Sequence, residues 1–319
     1  LLDAKETGID FLNKVKIQKN FNIFKYRNFY NGGGVAIGDI NNDGLADIYL
    51  TGNMVANKLY LNKGNLTFED ISVSAGIEGN KPWSTGVVMV DINQDGLLDI
   101  YVSNAGNLKG NNHDNDLYIN NGDLTFTEKA SDFNLAKTGF STHASFFDYD
   151  KDGDLDAYIL NNSNIPVSSL GYAEQRDKRA QDWENVPQIF RGVGDMLLRN
   201  DNGKFVDVSE EAGIYGSLIG FGLGVMVTDM NGDFYPDIYV SNDFYERDYL
   251  YLNNQDGTFK EDITNWTSHL SLSAMGVDIA DINNDGNADI FITDMLPEAD
   301  QRVKSVMEFE GYNVFKLKQ

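Results

Sequence analysis

Five short segments of the chain place side-chain oxygens at the first, third, fifth and ninth positions of a nine-residue loop. A glycine follows the fifth position in four of the five segments and permits a sharp backbone turn. Calcium takes six to eight oxygen ligands, and alternate residues of a tight loop can direct their side chains to one centre. The pattern predicts five calcium sites, at residues 39–47, 91–99, 148–156, 229–237 and 281–289.

In each loop we expect the four side chains and the carbonyl group of the seventh residue to bind the ion. The pattern contains neither histidine nor cysteine, which argues against zinc and copper, and magnesium is a second choice because it demands stricter octahedral geometry. The predicted ligand residues are Asp39, Asn41, Asp43, Leu45, Asp47, Asp91, Asn93, Asp95, Leu97, Asp99, Asp148, Asp150, Asp152, Asp154, Asp156, Asp229, Asn231, Asp233, Tyr235, Asp237, Asp281, Asn283, Asp285, Asn287 and Asp289.

An alternative for any single loop is a turn in which aspartate and asparagine side chains only cap backbone amides. Five repetitions, each with the ninth aspartate, favour ion binding. Three carboxylates at the side-chain positions of four loops and four in the third give sixteen, and two carboxylates 4 Å apart repel by about 4 kcal/mol at an effective dielectric of 20. Five Ca²⁺ ions, adding ten positive charges, would change the net charge from −24 to −14.

The fourth loop departs from the pattern. Phe234 occupies the glycine position, and Gly232 stands two residues earlier. We expect this turn to be made differently and the site to be the weakest or the most distorted of the five.

The flanks of the loops repeat as well. A short apolar run precedes each loop, a run such as Ile238 to Val240 follows it, and a second pair of short strands comes next. Four strands in about fifty residues are typical of a β-propeller blade, so the predicted fold is all-β. The predicted blade repeats lie near residues 34–73, 86–130, 143–209, 224–264 and 276–295.

Residues 3–9 resemble the tail of a blade, and the fifth repeat stops after its second strand. Because a propeller closes with roughly six to eight blades, we expect the chain to be a portion of a longer propeller. Two stretches fall outside the pattern: an insertion at residues 163–194, with helix-forming composition in its middle, and a charged connector at residues 297–319.

The loops and their flanks resemble the FG-GAP and VCBS repeats of integrin-α-like propellers. The run from Asn28 to Glu298 is similar to bacterial proteins of the ASPIC/UnbV, cartilage acidic protein-like family. This resemblance implies a seven-bladed propeller, calcium in the blade loops, and export to the bacterial surface, associated with the outer membrane and often as a lipoprotein, or beyond the cell. It implies no reaction.

The composition limits the possible partners. A net charge of −24 disfavours nucleic acid and anionic lipid, and the absence of cysteine excludes disulfides. No apolar run is long enough for a membrane span. The lipoprotein form that the resemblance implies would have its lipid anchor outside this sequence. A surface protein or a glycan is the expected partner.

Residues that vary among the repeats are candidates for a partner surface. His143 replaces the glycine found five residues before the other loops, and aromatic side chains stand eight residues before three of them. The alternatives are that the histidine is structural, that the aromatic side chains pack between blades, and that the insertion is a solvated loop. The candidates are His143, Trp83, Phe140, Phe221 and, in the insertion, Tyr172, Arg176, Arg179, Trp183 and Arg191.

No catalytic constellation is evident in the sequence, which holds three histidines. The sequence therefore predicts a non-enzymatic, calcium-binding module for extracellular binding or assembly. The alternative is a glycan-active enzyme similar to the polysaccharide lyases built on calcium-loop propellers. Such an enzyme would need a basic and aromatic cleft.

Overall fold

A computed structural model describes residues 3–24, 26–105, 113–163, 179, 193–216, 218–243, 246–271 and 273–294. Strands dominate these ranges, and the helices among them are single turns. The predicted all-β fold class with blade-like, four-stranded antiparallel sheets is confirmed. The number of blades in the full protein stays a prediction.

Each four-stranded sheet follows the chain order, so every strand pairs with its sequence neighbour. The fifth sheet has two strands among the described residues. The strands are β1 (Val35–Gly38), β2 (Asp47–Leu50), β3 (Lys58–Asn62) and β4 (Phe68–Asp70); β5 (Ser84–Val90), β6 (Asp99–Asn104), β7 (Asp116–Asn120) and β8 (Phe126–Glu128); β9 (Ser141–Phe147), β10 (Asp156–Asn161), β11 (Met196–Asn200) and β12 (Phe205–Asp207); β13 (Gly222–Thr228), β14 (Asp237–Asn242), β15 (Tyr249–Asn253) and β16 (Phe259–Glu261); β17 (Ala274–Ala280) and β18 (Asp289–Asp294).

The aspartate loops join the first strand of each sheet to the second. The ninth-position aspartate opens the second strand and pairs across the hairpin with the residue just before the loop, as in Gly38 with Asp47 and Val90 with Asp99. Because the register is fixed here, the loop always begins and ends at the same edge of its sheet.

One-turn helices follow the fourth strands. They are α2 (Ser72–Ala75), α3 (Ala130–Phe133) and α4 (Ile263–Trp266). The helix α1 (Ala4–Thr7) has the same length, begins after Asp3 and ends at Gly8 in the left-handed conformation, as α2 ends at Gly76. This is the likeness to a blade tail that the sequence indicated for residues 3–9. A 3₁₀ helix spans Arg27–Tyr30.

The chain forms two compact units, and the boundary between them runs through the third sheet. In the first unit a core around Tyr49, Leu59 and Ile100 fills the space between the first two sheets. In the second unit Tyr158, Ile238 and other buried residues form a corresponding core. Alternation along the strands directs these apolar side chains inward.

Glycines mark the places where first strands of successive sheets meet. Within the first unit β1 lies against β5, and within the second β13 lies against β17. A Cβ atom on Gly34 would lie 2.7 Å from the carbonyl oxygen of Thr85, and one on Gly224 would lie 3.2 Å from Val277. At Gly34 and Gly224 the glycine five residues before the loop therefore permits close approach of the neighbouring first strand.

Among the described residues, no helix has the length and apolarity needed to cross a membrane. The predicted insertion at residues 163–194 lies outside the described residues except for Ser163, Arg179, Val193 and Gly194. The predicted connector at residues 297–319 lies wholly outside them.

Candidate metal centres

The aspartate loops share one pattern of hydrogen bonds. In the first loop the carboxylate of Asp39 accepts from the backbone N–H groups of Asp43 and Gly44, at 3.1 and 2.7 Å. Asp43 in turn accepts from the N–H of Leu45 at 2.9 Å. The second and fifth loops repeat these bonds. Backbone donors thus orient the side-chain oxygens toward the inside of each loop.

The backbone conformation of the loop explains which residue types occupy its fourth and sixth positions. The fourth and sixth residues adopt positive φ, 57° at Asn42 and 85° at Gly44 in the first loop. A Cβ atom on Gly44 would meet nothing within 4 Å, so glycine is required there by backbone conformation and not by lack of space. Asparagine at the fourth position tolerates the left-handed region better than most residues.

The fourth loop keeps this geometry, so the expectation of a different turn is wrong. Phe234 adopts φ 70°, and its N–H donates to Asp229 at 2.8 Å as the glycine does elsewhere. Gly232 adds a bond of 2.7 Å from its N–H to the same carboxylate. The left-handed conformation costs a non-glycine residue about 1–2 kcal/mol, and the hydrogen bonds hold Phe234 in it.

The ninth-position aspartate lies at the base of the loop. In all five loops it accepts a hydrogen bond from the N–H of the second residue, for example from Ile92 to Asp99 at 3.2 Å. Burial raises the pKa of Asp99 to about 6, opposed by N–H donors from Asn120 and Ile92 and reinforced by repulsion from Asp95 and Asp91.

The third loop holds the densest group of carboxylates. Asp148, Asp150 and Asp156 each place one oxygen within 4.8 Å of the others. Asp154 has a buried Oδ1 that accepts no hydrogen bond, and burial followed by repulsion from Asp152 raises its pKa to about 6. Such a group of oxygen donors can hold a divalent cation.

Sequence reasoning missed one residue of the loops, the asparagine that ends each third strand. The N–H of Asn62 donates to the ninth-position Asp47 at 2.7 Å, and its side-chain amide donates to the carbonyl oxygen of Ala46 at 2.7 Å. Its recurrence as Asn120, Asn200 and Asn253, each before a Gly- or Asn-containing turn, was the available signal.

The aromatic candidates for a partner surface are packed in the interior. Trp83, Phe140 and Phe221 are buried, with Trp83 2% exposed. The Trp83 ring contacts those of Phe21 and Tyr26 at centroid distances of 5.0 and 5.5 Å. Their burial agrees with the alternative that these aromatic side chains pack in the interior, and it leaves no exposed ring face for stacking on a ligand.

His143 is half-buried and lies in the first strand of its sheet. A Cβ atom on Gly86 would lie 2.7 Å from its Nδ1, and burial lowers the pKa of the imidazole.

Arg179 is buried and donates to the carbonyl oxygen of Ile214 at 2.5 Å. Tyr172, Arg176, Trp183 and Arg191 lie outside the described residues.

The sheets and loops define a class of all-β repeat protein in which each blade-like sheet carries an oxygen-rich loop between its first two strands. The sequence profile of the FG-GAP-like repeat matches residues 39–102, 105–159 and 229–292, which together exceed half of the chain. The chain belongs to the FG-GAP-like repeat family, whose propeller fold these blades follow.

Proteins named cartilage acidic protein 1 are similar in sequence. The chain is 31% identical over 245 residues to that of Xenopus tropicalis, a match covering 76% of this chain and 34% of the relative. The relative from Mus musculus is 28% identical, with 66% of this chain and 29% of the relative covered, and that from Homo sapiens is 29% identical, with 67% and 28% covered. The chain thus spans about a third of the length of these relatives.

Two solved structures align over most of the chain. An Agrocybe aegerita lectin described as recognising non-reducing terminal N-acetylglucosamine is 18% identical, with a TM-score of 0.35 and coverage of 81% of this chain and 73% of the other. The V. cholerae biofilm matrix protein Bap1 is 11% identical, with a TM-score of 0.35 and coverage of 80% and 58%. Scores at this level carry no argument about ligands.

Proposed function

We propose that this protein is a calcium-binding β-propeller that acts outside the cell or at the cell surface as a non-enzymatic module for binding a surface protein or a glycan. The observation that carries the proposal is the third loop, where three carboxylates converge within 4.8 Å and the Oδ1 atom of Asp154 is buried without a donor. A bound cation would offset the repulsion between like charges brought this close.

The hydrogen bonds inside the loops are compatible with ion binding. Each carboxylate oxygen has two lone pairs, so an oxygen that accepts one backbone N–H retains capacity for a cation. Asp39, for example, uses its two oxygens for two N–H donors and keeps one lone pair on each. The same side chains can therefore cap backbone amides and bind calcium at the same time.

The residues present suit calcium as a resident ion. The first, third, fifth and ninth side chains and the seventh carbonyl group would hold it, as an all-oxygen set of the kind that hard cations select. When bound, the ion would neutralise the loop carboxylates and fix the hairpin between the first two strands. Five ions are expected, one in each loop, and loops of this kind in extracellular modules bind at about 10⁻⁴–10⁻³ M.

Extracellular placement is supported by that affinity range, since such calcium levels occur outside cells. Similarity to proteins named cartilage acidic protein 1 supports the same proposal. Placement at a bacterial outer membrane, with a lipid anchor outside this sequence, is the form that the family resemblance of the sequence implies.

The described histidines support binding over catalysis. His113 is buried beside the carbonyl oxygen of Gly139, and His143 lies against Gly86. His269 is exposed and contacts the Ser268 hydroxyl. Among the described residues, none of these three histidines shares a hydrogen bond with a carboxylate, so no acid–base pair with histidine favours the glycan-active alternative.

Isothermal titration with Ca²⁺ after chelator treatment tests ion binding. We expect about five ions per chain, and Asp150→Asn should weaken one site because it removes a carboxylate from the third loop. Asp123→Asn is the matched control, since Asp123 is exposed in a strand turn and accepts only from Thr125. Equal loss of binding in both variants, or no binding in the parent, would refute the proposal.

The binding role itself is tested with glycan arrays and a panel of cell-surface proteins, probed with and without calcium. A calcium-dependent ligand is the expected result. Incubation with a panel of polysaccharides provides the opposing test, because new unsaturated ends would establish the enzymatic alternative.

A further inference from the structure

A hydrogen bond joins neighbouring aspartate loops across two sheets of the first unit. The side-chain amide of Asn120, at the end of β7, donates to the carbonyl oxygen of Ile40 at 2.8 Å. Ile40 is the second residue of the first loop, 80 residues earlier in the chain. Both residues are buried, so water does not compete for the bond.

Asn120 is also fixed to the loop of its own sheet. Its backbone N–H donates to the ninth-position Asp99 at 2.8 Å, and its side-chain amide donates to the carbonyl oxygen of Leu98 at 3.1 Å. The Oδ1 atom accepts from the N–H of Gly122 at 2.9 Å, which leaves the amide group pointing toward the loops.

The contact continues to the carboxylate of the first loop. The N–H of Ile40 donates to the ninth-position Asp47 at 3.0 Å. A buried path of hydrogen bonds therefore runs from Asp47 through Ile40 and Asn120 to Asp99, and its two ends are proposed calcium ligands.

The second unit repeats the arrangement. Asn253, at the end of β15, donates from its side chain to the carbonyl oxygen of Tyr149 at 2.9 Å and from its N–H to Asp237 at 2.8 Å. The N–H of Tyr149 donates to Asp156 at 3.0 Å. The third and fourth loops are thus joined as the first and second are.

A second contact joins the same pairs of loops through the fourth position. The side chain of Asn42 donates to the carbonyl oxygen of Gly96, the sixth residue of the next loop, at 3.0 Å. In the other pair, the Lys151 ammonium group lies 4.5 Å from the ring centroid of Tyr235, the seventh residue of the next loop.

We propose that Asn120, together with Asn42, is a positioning residue that couples calcium binding in the first two loops, so that an ion in one raises the affinity of the other. The inference rests on the proposed calcium sites. An ion that orders one loop fixes the shared hydrogen bonds, and the second loop then has less conformational entropy to lose on binding. Asn253 and Lys151 serve the third and fourth loops in the same way.

Site-resolved calcium titration by hydrogen exchange tests the coupling, with the protection of residues 34–50 reporting on the first loop. Asp95→Ala disables the second loop. In the otherwise unchanged protein we expect this variant to raise the calcium concentration that protects the first loop by about five-fold, the lower end of typical allosteric coupling. In an Asn120→Ala background the shift should vanish.

Asn62→Ala is the matched control. Asn62 makes the corresponding bonds to its own loop, to Asp47 and Ala46, and within the described residues it makes no hydrogen bond to a preceding loop. This variant should weaken the first loop while leaving the shift caused by Asp95→Ala in place. Asn42 is exposed and has a positive φ, which glycine adopts without strain. We therefore expect Asn42→Gly to fold and to reduce the shift.

The outcomes separate the inference from the function. A shift that persists in Asn120→Ala or, should that variant not fold, in Asn42→Gly overturns the coupling. If the parent protein binds calcium stoichiometrically but Asp95→Ala does not change the calcium concentration that protects the first loop, the coupling is also overturned, and the proposed function stands. A parent protein that binds no calcium overturns both.

Discussion

The hydroxyl group of Tyr158 donates a hydrogen bond of 2.9 Å to the carboxylate of Asp195, and both side chains are buried. The N–H of Asn161 donates to the other carboxylate oxygen at 2.9 Å. Burial nevertheless raises the pKa of Asp195 to about 7. Tyr239 and Asp248 form the same pair, and burial raises the pKa of Asp248 to about 6.

At the equivalent place in the second sheet the carboxylate is replaced by an amide. Asn115 accepts from the N–H of Asn104 at 2.8 Å and donates to the hydroxyl of Tyr101 at 2.8 Å. The amide satisfies the same two neighbours without a buried charge. The fold therefore accepts either residue, and the carboxylate makes stability depend on pH.

We expect Asp195→Asn to stabilise the protein at neutral pH. The unfolded carboxyl group has a pKa near 3.9, so its folded-state pKa of about 7 favours folding below about pH 4, and this contribution is lost as pH rises through 7. The substitution should add about 1–3 kcal/mol at about pH 8 and little at about pH 4. Urea unfolding at both pH values measures this. Equal effects at the two pH values would contradict the burial argument, and exposed Asp123→Asn is the control.

Phe234→Gly should stabilise the fourth loop. Relief of the left-handed conformation gains about 1–2 kcal/mol, and the greater freedom of glycine in the unfolded chain offsets about 0.5–1 kcal/mol of that. The converse change, Gly96→Ala, should cost about 1 kcal/mol or more, because the residue has φ 86° and open space around it. Chemical denaturation of both variants decides the matter, and effects of the same sign would be inconsistent with backbone strain.

Gly86→Ala should destabilise the protein by about 1–3 kcal/mol or more through overpacking. The added methyl group would lie against the carbonyl oxygen of Thr142 and 2.7 Å from Nδ1 of His143. Gly276→Ala is the matched control, since the same repeat position there meets only the Thr293 hydroxyl at 3.3 Å. Thermal denaturation compares the two, and similar losses would exclude a specific contact between first strands.

Asp154→Asn should stabilise the protein in the absence of calcium and reduce the stability that calcium adds. Without the ion it removes a charge that is disfavoured first by burial and then by repulsion from Asp152, Asp150 and Asp148, and it should stabilise the protein by about 1 kcal/mol. With calcium in excess, the gain in stability on ion binding should be smaller than in the parent. Calorimetry with and without calcium measures both effects, and an equal calcium-induced gain would show that the carboxylate of Asp154 does not contribute to ion binding.

Local patterns in the sequence predicted the strands and the loops. Short apolar runs marked the strands, and the spacing of aspartates marked the loops that join β1 to β2 and the corresponding strands of the other sheets. These features depend on neighbours within a few residues, which a single sequence displays directly.

Features that depend on distant residues escaped prediction. The bond from Asn120 to Ile40 spans 80 residues, and nothing near either residue signals it. The geometry of the fourth loop was misjudged because hydrogen bonds to Asp229 outweigh the intrinsic preference of Phe234. The burial of Trp83 depends on Phe21 and Tyr26, which lie outside the repeat pattern.

The most direct measurement of the calcium proposal is an anomalous difference map from crystals grown with Ca²⁺ and, separately, with Tb³⁺. We expect a peak within each described loop, at about 2.3–2.6 Å from carboxylate oxygens, including those of Asp148, Asp150 and Asp156 in the third. Loops that contain only water or no density under both conditions would contradict the account.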